Sequence, residues 1–151
     1  MTVKIGINGL GRIGRMIIRS LIENNNKKVE IKHINSRSNS EVVSSLLKYD
    51  SIHGKFNCEI KYGDNYLKLN GKKITFSQHS NLNEINWKKF GVDYVLECTG
   101  KFNSKERLTP HIINGAKHVI VSATCKNADP QHRDGQGKGT GRVRAQLRFT
   151  R

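Results

Sequence analysis

Six residues close to the amino terminus, Gly9-Leu10-Gly11-Arg12-Ile13-Gly14, have the types and spacing to do chemistry without a reactive side chain. Gly9 permits a tight turn out of a strand, and Gly11 removes the Cβ that would hold a phosphate away from the backbone. Gly14 lets a helix pack closely on a sheet. A helix opening at about residue 11 would aim its free N–H groups and positive dipole end at an anion. The chemistry is non-covalent capture of a dinucleotide pyrophosphate, with NAD or NADP as the cofactor. Other reactive groups offer less. Cys58, Cys98 and Cys125 are odd in number and form no C-x-x-C pair, so reduced thiols are expected rather than disulfides or structural zinc. Cys98 reads as a buried, inert thiol. His33, His53, His79, His111, His118 and His132 show no ligand spacing, so no metal site is expected; His53 reads as loop packing. Trp87 and Phe90 read as a small hydrophobic plug.

A phosphate-binding turn needs a strand before it and a helix after it, and both are legible. Val3 to Asn8 is a β-branched run, and Met16-Ile17-Ile18 with Leu21-Ile22 repeat at helical spacing. A second strand follows from Val29 to Ile34, completing a βαβ unit of about thirty residues, enough for a parallel crossover. Ser38-Asn39-Ser40 is an N-cap cluster for a helix holding Val42, Val43, Leu46 and Leu47. Phe56 to Tyr62, Tyr66 to Leu69 and Lys73 to Ser77 read as strands of an antiparallel insertion, turned by Gly63-Asp64-Asn65 and Asn70-Gly71. The βαβ pattern then returns: a strand from Tyr94 to Glu97, a helix from Ser104 to Asn114 capped by Gly115, and a strand from His118 to Ser122. Pro110 should kink or shorten that helix. The expected fold class is α/β, Rossmann-type, with a mostly parallel sheet and an antiparallel insertion.

Residues Val3 to Arg15, taken with Lys48-Tyr49-Asp50-Ser51-Ile52-His53-Gly54, Glu97-Cys98-Thr99-Gly100 and Gly115 to Ala123, occur in an order and spacing that resemble glyceraldehyde-3-phosphate dehydrogenase. The resemblance covers residues 1 to about 128 and implies that family's NAD(P)-binding domain. It implies that Arg12 and Ile13 line the pyrophosphate, with Asn8, Gly9, Gly11 and Gly14 also among the cofactor-binding residues. Asn35, Ser36 and Arg37 would lie at the adenosine ribose, with Thr99, Gly100 and Ser122 toward the ribose and nicotinamide. The family's reaction is the glycolytic oxidation of an aldehyde phosphate to an acyl phosphate, with hydride passing to the nicotinamide and a cysteine carrying the acyl group. Relatives of this kind are homotetramers; an erythrose-4-phosphate dehydrogenase shares the same motifs.

Two departures from the family pattern bear on function. Where the family carries Asp after the Asn ending the second strand, this chain reads Asn35-Ser36-Arg37. A carboxylate there repels a 2′-phosphate, whereas Ser36 tolerates one and Arg37 can pair with it, so NADP is expected as well as NAD. Gln78-His79-Ser80 stands where the family often has an Arg near the adenine. The second departure concerns the nucleophile. No Ser-Cys-Thr-Thr-Asn-Cys motif occurs, and Cys125 aligns with an earlier strand end, so no catalytic residue is assigned. The chain therefore reads as a fragment stopping before the catalytic Cys and catalytic domain, inactive alone.

Composition changes after about residue 128. Residues 1–128 hold fifteen Asn, fifteen Ile, sixteen Lys and five Arg; residues 129–151 hold no Asn or Ile, one Lys and five Arg, with Gly at 135, 137, 139 and 141. This stretch reads as a basic, disordered tail or a frameshifted end. The net charge of +15 raises nucleic acid as a partner, but the lysines are dispersed in pairs. A solvated basic surface is expected, with no specific nucleic-acid partner; the alternative is a non-catalytic nucleotide- or polyanion-binding module. No apolar run reaches about 18 residues and no signal-peptide pattern opens the chain, so no membrane partner and a cytoplasmic location are expected.

Overall fold

The computed structural model describes residues 2–50, 54–122 and 145–148. Strand β1 (Val3–Asn8) leads through the glycine turn into helix α1 (Arg12–Glu23), and β2 (Val29–Asn35) follows. Helix α2 (Ser40–Lys48) comes next, with Asn39 as its N-cap accepting from the Val42 N–H at 2.9 Å. Two short strands, β3 (Tyr49–Asp50) and β4 (Gly54–Lys55), pair with each other. Then come β5 (Ile60–Gly63), β6 (Tyr66–Leu69), β7 (Lys72–Ser77) and β8 (Tyr94–Glu97). Helix α3 (Lys105–Ile113), β9 (His118–Val121) and β10 (Ala145–Arg148) complete the order.

The main sheet runs β10-β9-β8-β1-β2-β7-β6-β5. The block β9, β8, β1, β2 and β7 is parallel, while β5, β6 and β7 form an antiparallel meander. The mostly parallel α/β sheet and its antiparallel insertion are thus present. The order also reverses at β1: the chain first moves to β2 on one side, then returns to β8 on the other. Such a switch point opens a crevice at the carboxyl ends of the strands. Two core clusters flank the sheet, one around Ile5, Ile7, Ile18 and Leu47, the other around Trp87, Val95, Leu108 and Val119.

Local outcomes differ from expectation where backbone geometry overrides pattern. The strand expected from Phe56 to Tyr62 is broken; residues 56–59 leave the ladder, and β5 begins only at Ile60. Buried Phe56 and Cys58 account for the apolar pattern, which reflects burial of a connection rather than pairing. Strand β9 stops at Val121, so Ser122 lies just past it. Helix α3 contains Pro110 and still runs nine residues, starting from Ser104, which accepts from the Arg107 N–H at 3.3 Å. Most of the tail, together with Ser51 to His53 and Cys125, lies outside the described residues. Within the tail, Ala145–Arg148 pairs antiparallel with β9.

One irregularity matters for the site. The β1–β2 register shifts between Ile5 and Gly6, which pair with Ile31 and His33, so Lys32 is passed over. A bulge of this kind re-aims the side chains beyond it. His33 and Asn35 consequently face the Trp87 side of the sheet together with Gly6 and Asn8.

Candidate functional site

The glycine turn sits where the strand order reverses, and each of its glycines has a different reason to be there. Gly9 has φ +93°, and a Cβ on it would lie 2.6 Å from Thr99 Cγ2 and 2.8 Å from the Thr99 nitrogen. The turn from β1 is therefore pressed against the turn after β8. At Gly14 a Cβ would lie 2.3 Å from the Gly9 carbonyl oxygen, so this glycine seats α1 on the turn itself. Gly11 is the exception: a Cβ there would meet nothing within 4 Å. It is the N-cap of α1, offers no capping side chain, and precedes a first turn without acidic residues. The N–H groups of Arg12, Ile13 and Gly14 form the first turn of the helix and so lack intrahelical acceptors, and the space beside Gly11 is open. That is a cradle suited to an anion that must touch backbone.

The other predicted site residues ring this turn in sheet order. Ser122 follows β9, Thr99 and Gly100 follow β8, and Ser36 and Arg37 follow β2. Parallel strands lie about 4.8 Å apart, so from β9 to β2 the crevice is about 14 Å across. Ile13 and Ser122 share a cavity of about 310 Å³ with Ile17, Leu96, Cys98, Ile120 and Val121. On the β2 side, Ser36 is buried and its hydroxyl accepts from the Ser38 N–H at 3.3 Å. Arg37 is exposed, and among the described residues its guanidinium has no ion-pair partner. Ser80 and Leu82, just beyond β7, line a shallow hollow of about 410 Å³ with Asn81, Phe102, Arg107 and Pro110.

The carboxamides of Asn8 and Asn35 turn inward rather than into the crevice. Asn35 Nδ2 donates to Asn8 Oδ1 (2.9 Å) and to the His79 carbonyl (2.9 Å), while its Oδ1 accepts from Ser77 Oγ (2.8 Å) and the His79 N–H (2.9 Å). Asn8 Nδ2 donates onward to Glu97 Oε2 at 2.7 Å. Glu97 itself is fully buried, as is His111, whose Nε2 lies 2.7 Å from the same oxygen. The Trp87 indole N–H, a donor only, reaches His111 Nδ1 at 2.9 Å. His111 Nδ1 is therefore the acceptor, and its proton sits on Nε2, donated to Glu97. The other carboxylate oxygen, Oε1, accepts from the Thr99 N–H (3.0 Å) and Thr99 Oγ1 (2.5 Å).

Sequence reasoning singled out none of Gly6, Trp87, His111 or Glu97 as parts of one assembly. A signal existed at Glu97: it follows Val95 by two in a strand whose inward positions are apolar, and a carboxylate there must find donors. Trp87 and Phe90 do form a plug, but they also enclose His33, which stacks on Phe90 at 3.8 Å and meets Trp87 edge-on at 5.6 Å. Burial holds His33 down to about 4, with His79 adding to the effect. Cys98 is pushed up to about 12, chiefly by burial and then by the Glu97 charge. Among the described residues no group of three or more His, Cys, Asp or Glu is placed to hold a metal ion, and no helix is long and apolar enough to cross a membrane.

A doubly wound sheet with a bare helix N-terminus at its switch point defines a Rossmann-type α/β domain. Residues 3–105 match the family model described as glyceraldehyde 3-phosphate dehydrogenase, NAD binding domain, and the chain belongs to that family. It is 40% identical over 129 residues to a glyceraldehyde-3-phosphate dehydrogenase of Geobacillus stearothermophilus, covering 85% of this chain and 38% of the relative. The corresponding Coccidioides immitis protein is 42% identical over 129 residues, 85% of this chain and 38% of that protein. A Thermotoga maritima relative is 39% identical over 126 residues, 83% of this chain and 38% of its own length. The chain thus spans less than two fifths of these curated relatives.

Proposed function

We propose that this chain holds NAD or NADP across the carboxyl ends of β9, β8, β1 and β2, as the cofactor half of a glyceraldehyde-3-phosphate dehydrogenase. The carrying observation is Gly11, with open space beside it at the uncapped start of α1, in a chain of a family named for NAD binding. Those N–H groups and Arg12 would receive the pyrophosphate, Ser36 and Arg37 the adenosine ribose, and Thr99, Gly100 and Ser122 the nicotinamide side. Bound there, the cofactor supplies a hydride acceptor for oxidation of an aldehyde phosphate. This chain's own contribution is to bind and orient that acceptor. Its 151 residues carry no Ser-Cys-Thr-Thr-Asn-Cys motif, so cofactor binding without turnover is the expected behaviour of the chain alone.

A second reading, acceptance of NADP, is favoured by one observation. Arg37 is exposed beside the turn after β2, and no carboxylate follows Asn35 to repel a 2′-phosphate. Calorimetric titration with both cofactors tests the choice: comparable affinities, with NADP weakened by Arg37→Ala, are expected. NAD binding with no measurable NADP binding contradicts the second reading alone; binding of neither contradicts the function.

A further inference from the structure

We infer that Glu97 is a positioning residue for the dinucleotide, a single buried carboxylate that fixes the turn after β1 and the turn after β8 relative to one another. The inference rests on the cofactor reading above and goes beyond it, since Glu97 does not face the crevice. A carboxylate offers about four lone-pair positions, and here four donors fill them: Asn8 Nδ2 and His111 Nε2 on Oε2, the Thr99 N–H and Thr99 Oγ1 on Oε1. All four approach as donors, so every lone-pair position of the carboxyl group is taken. Because the Trp87 indole occupies His111 Nδ1, His111 contributes a hydrogen bond and no charge.

The geometry separates two functions of the network. Asn35, on the β2 side, keeps its bonds to Ser77 Oγ and to both backbone groups of His79 whatever becomes of Glu97. Both of Thr99's own donors, its N–H and its hydroxyl, go to Glu97 Oε1, and its one other bond is local, the Lys101 N–H donating to Thr99 Oγ1 at 3.2 Å. Thr99 is also the residue against which Gly9 is pressed, so a shift of Thr99 moves the wall of the phosphate turn. Glu97 therefore sets the register between two turns that a dinucleotide must touch together. A mononucleotide touches only the first of them and so depends less on that register.

The test is the Glu97→Gln variant of the 151-residue chain, titrated calorimetrically with NAD and with AMP alongside thermal unfolding. Glutamine keeps the shape but turns one acceptor into a donor facing other donors. The expected result is NAD affinity reduced at least about tenfold, as for loss of one charge-assisted hydrogen bond, with AMP affinity changed less than about threefold. Equal weakening of NAD and AMP, or a lowered melting temperature with both affinities unchanged, overturns the proposal by making Glu97 a general stabiliser. If Glu97→Gln does not fold, Thr99→Val, which deletes the hydroxyl that donates to Glu97 and accepts from the Lys101 N–H, carries the same comparison: weakened NAD with preserved AMP supports the register role, and equal change opposes it. Wild-type chain that binds neither ligand overturns the cofactor reading itself, and this inference with it.

Discussion

Replacing Gly11 and Gly14 separately by alanine should divide ligand binding from folding, because the two Cβ atoms enter different surroundings. At position 11 the added carbon meets nothing within 4 Å, and the backbone there (φ −72°, ψ −164°) suits any residue. The folded chain loses only the preference of an N-cap for Gly over Ala, about 0.5 kcal/mol, or about 1–2 °C in melting temperature at this length. At position 14 the carbon lies 2.3 Å from the Gly9 carbonyl oxygen, a backbone atom that cannot swing aside. Alanine's better helix propensity returns about 1 kcal/mol, but overpacking costs up to about 3 kcal/mol or more. A net loss of about 2 kcal/mol lowers melting by about 4–8 °C. Binding should follow the opposite order of specificity. A methyl at Gly11 stands between the helix N–H groups and the phosphate, and loss of one charge-assisted bond there weakens NAD by about ten- to a hundredfold. Differential scanning fluorimetry and calorimetric titration of both variants provide the comparison. Gly11→Ala that binds NAD as tightly as wild type, or that unfolds as early as Gly14→Ala, refutes the assignment of Gly11 to the ligand.

Three further outcomes are expected. Gly6→Ala should destabilise the chain by about 1–3 kcal/mol, since its Cβ would lie 2.4 Å from Trp87 Cζ3; the chain's single Trp makes tryptophan fluorescence a direct monitor. His33 should make the fold acid-sensitive. Held down to about 4 by burial, it stays neutral in the folded chain while the unfolded chain takes up a proton below about 6.5. Stability is then full above pH 6.5 and falls as pH drops toward 4, by about 3 kcal/mol in all. Urea unfolding at pH 7.5 and 4.5 should show that loss and show less of it in His33→Gln; an identical pH dependence in both would count against burial as the cause. Cys98, pushed up to about 12, should resist iodoacetamide at pH 8 in the native chain and react once unfolded, as read by peptide mapping.

The parts of the fold carried by local pattern were legible in the sequence. The β1–turn–α1–β2 unit, the Asn39 cap and the β6–β7 hairpin follow from period, capping and turn chemistry within short windows. What escaped is non-local. Gly6 is required by Trp87, a contact that spacing along the chain does not encode, whereas Gly14 was read from the glycine spacing and meets the Gly9 carbonyl five residues away. The bulge that passes over Lys32 turns His33 and Asn35 toward the Trp87 side, so Asn35 became the partner of Asn8 and His79 rather than a group displayed at the crevice. The Trp87–His111–Glu97–Asn8 chain joins residues up to 89 positions apart, and only the inward position of Glu97 hinted at it. Phe56 and Cys58 misled in the other direction, since burial of a connection imitates a strand.

The most direct measurement is a ¹⁵N–¹H correlation spectrum of the 151-residue chain recorded while NAD is added. The backbone amides of Gly11, Arg12 and Ile13, at the bare start of α1, should move most and saturably, with Thr99 moving alongside them, while amides of the β5–β6 hairpin at the far edge of the sheet stay fixed. A spectrum of the folded chain in which the Gly11 to Ile13 amides do not move at millimolar NAD would contradict the cofactor reading.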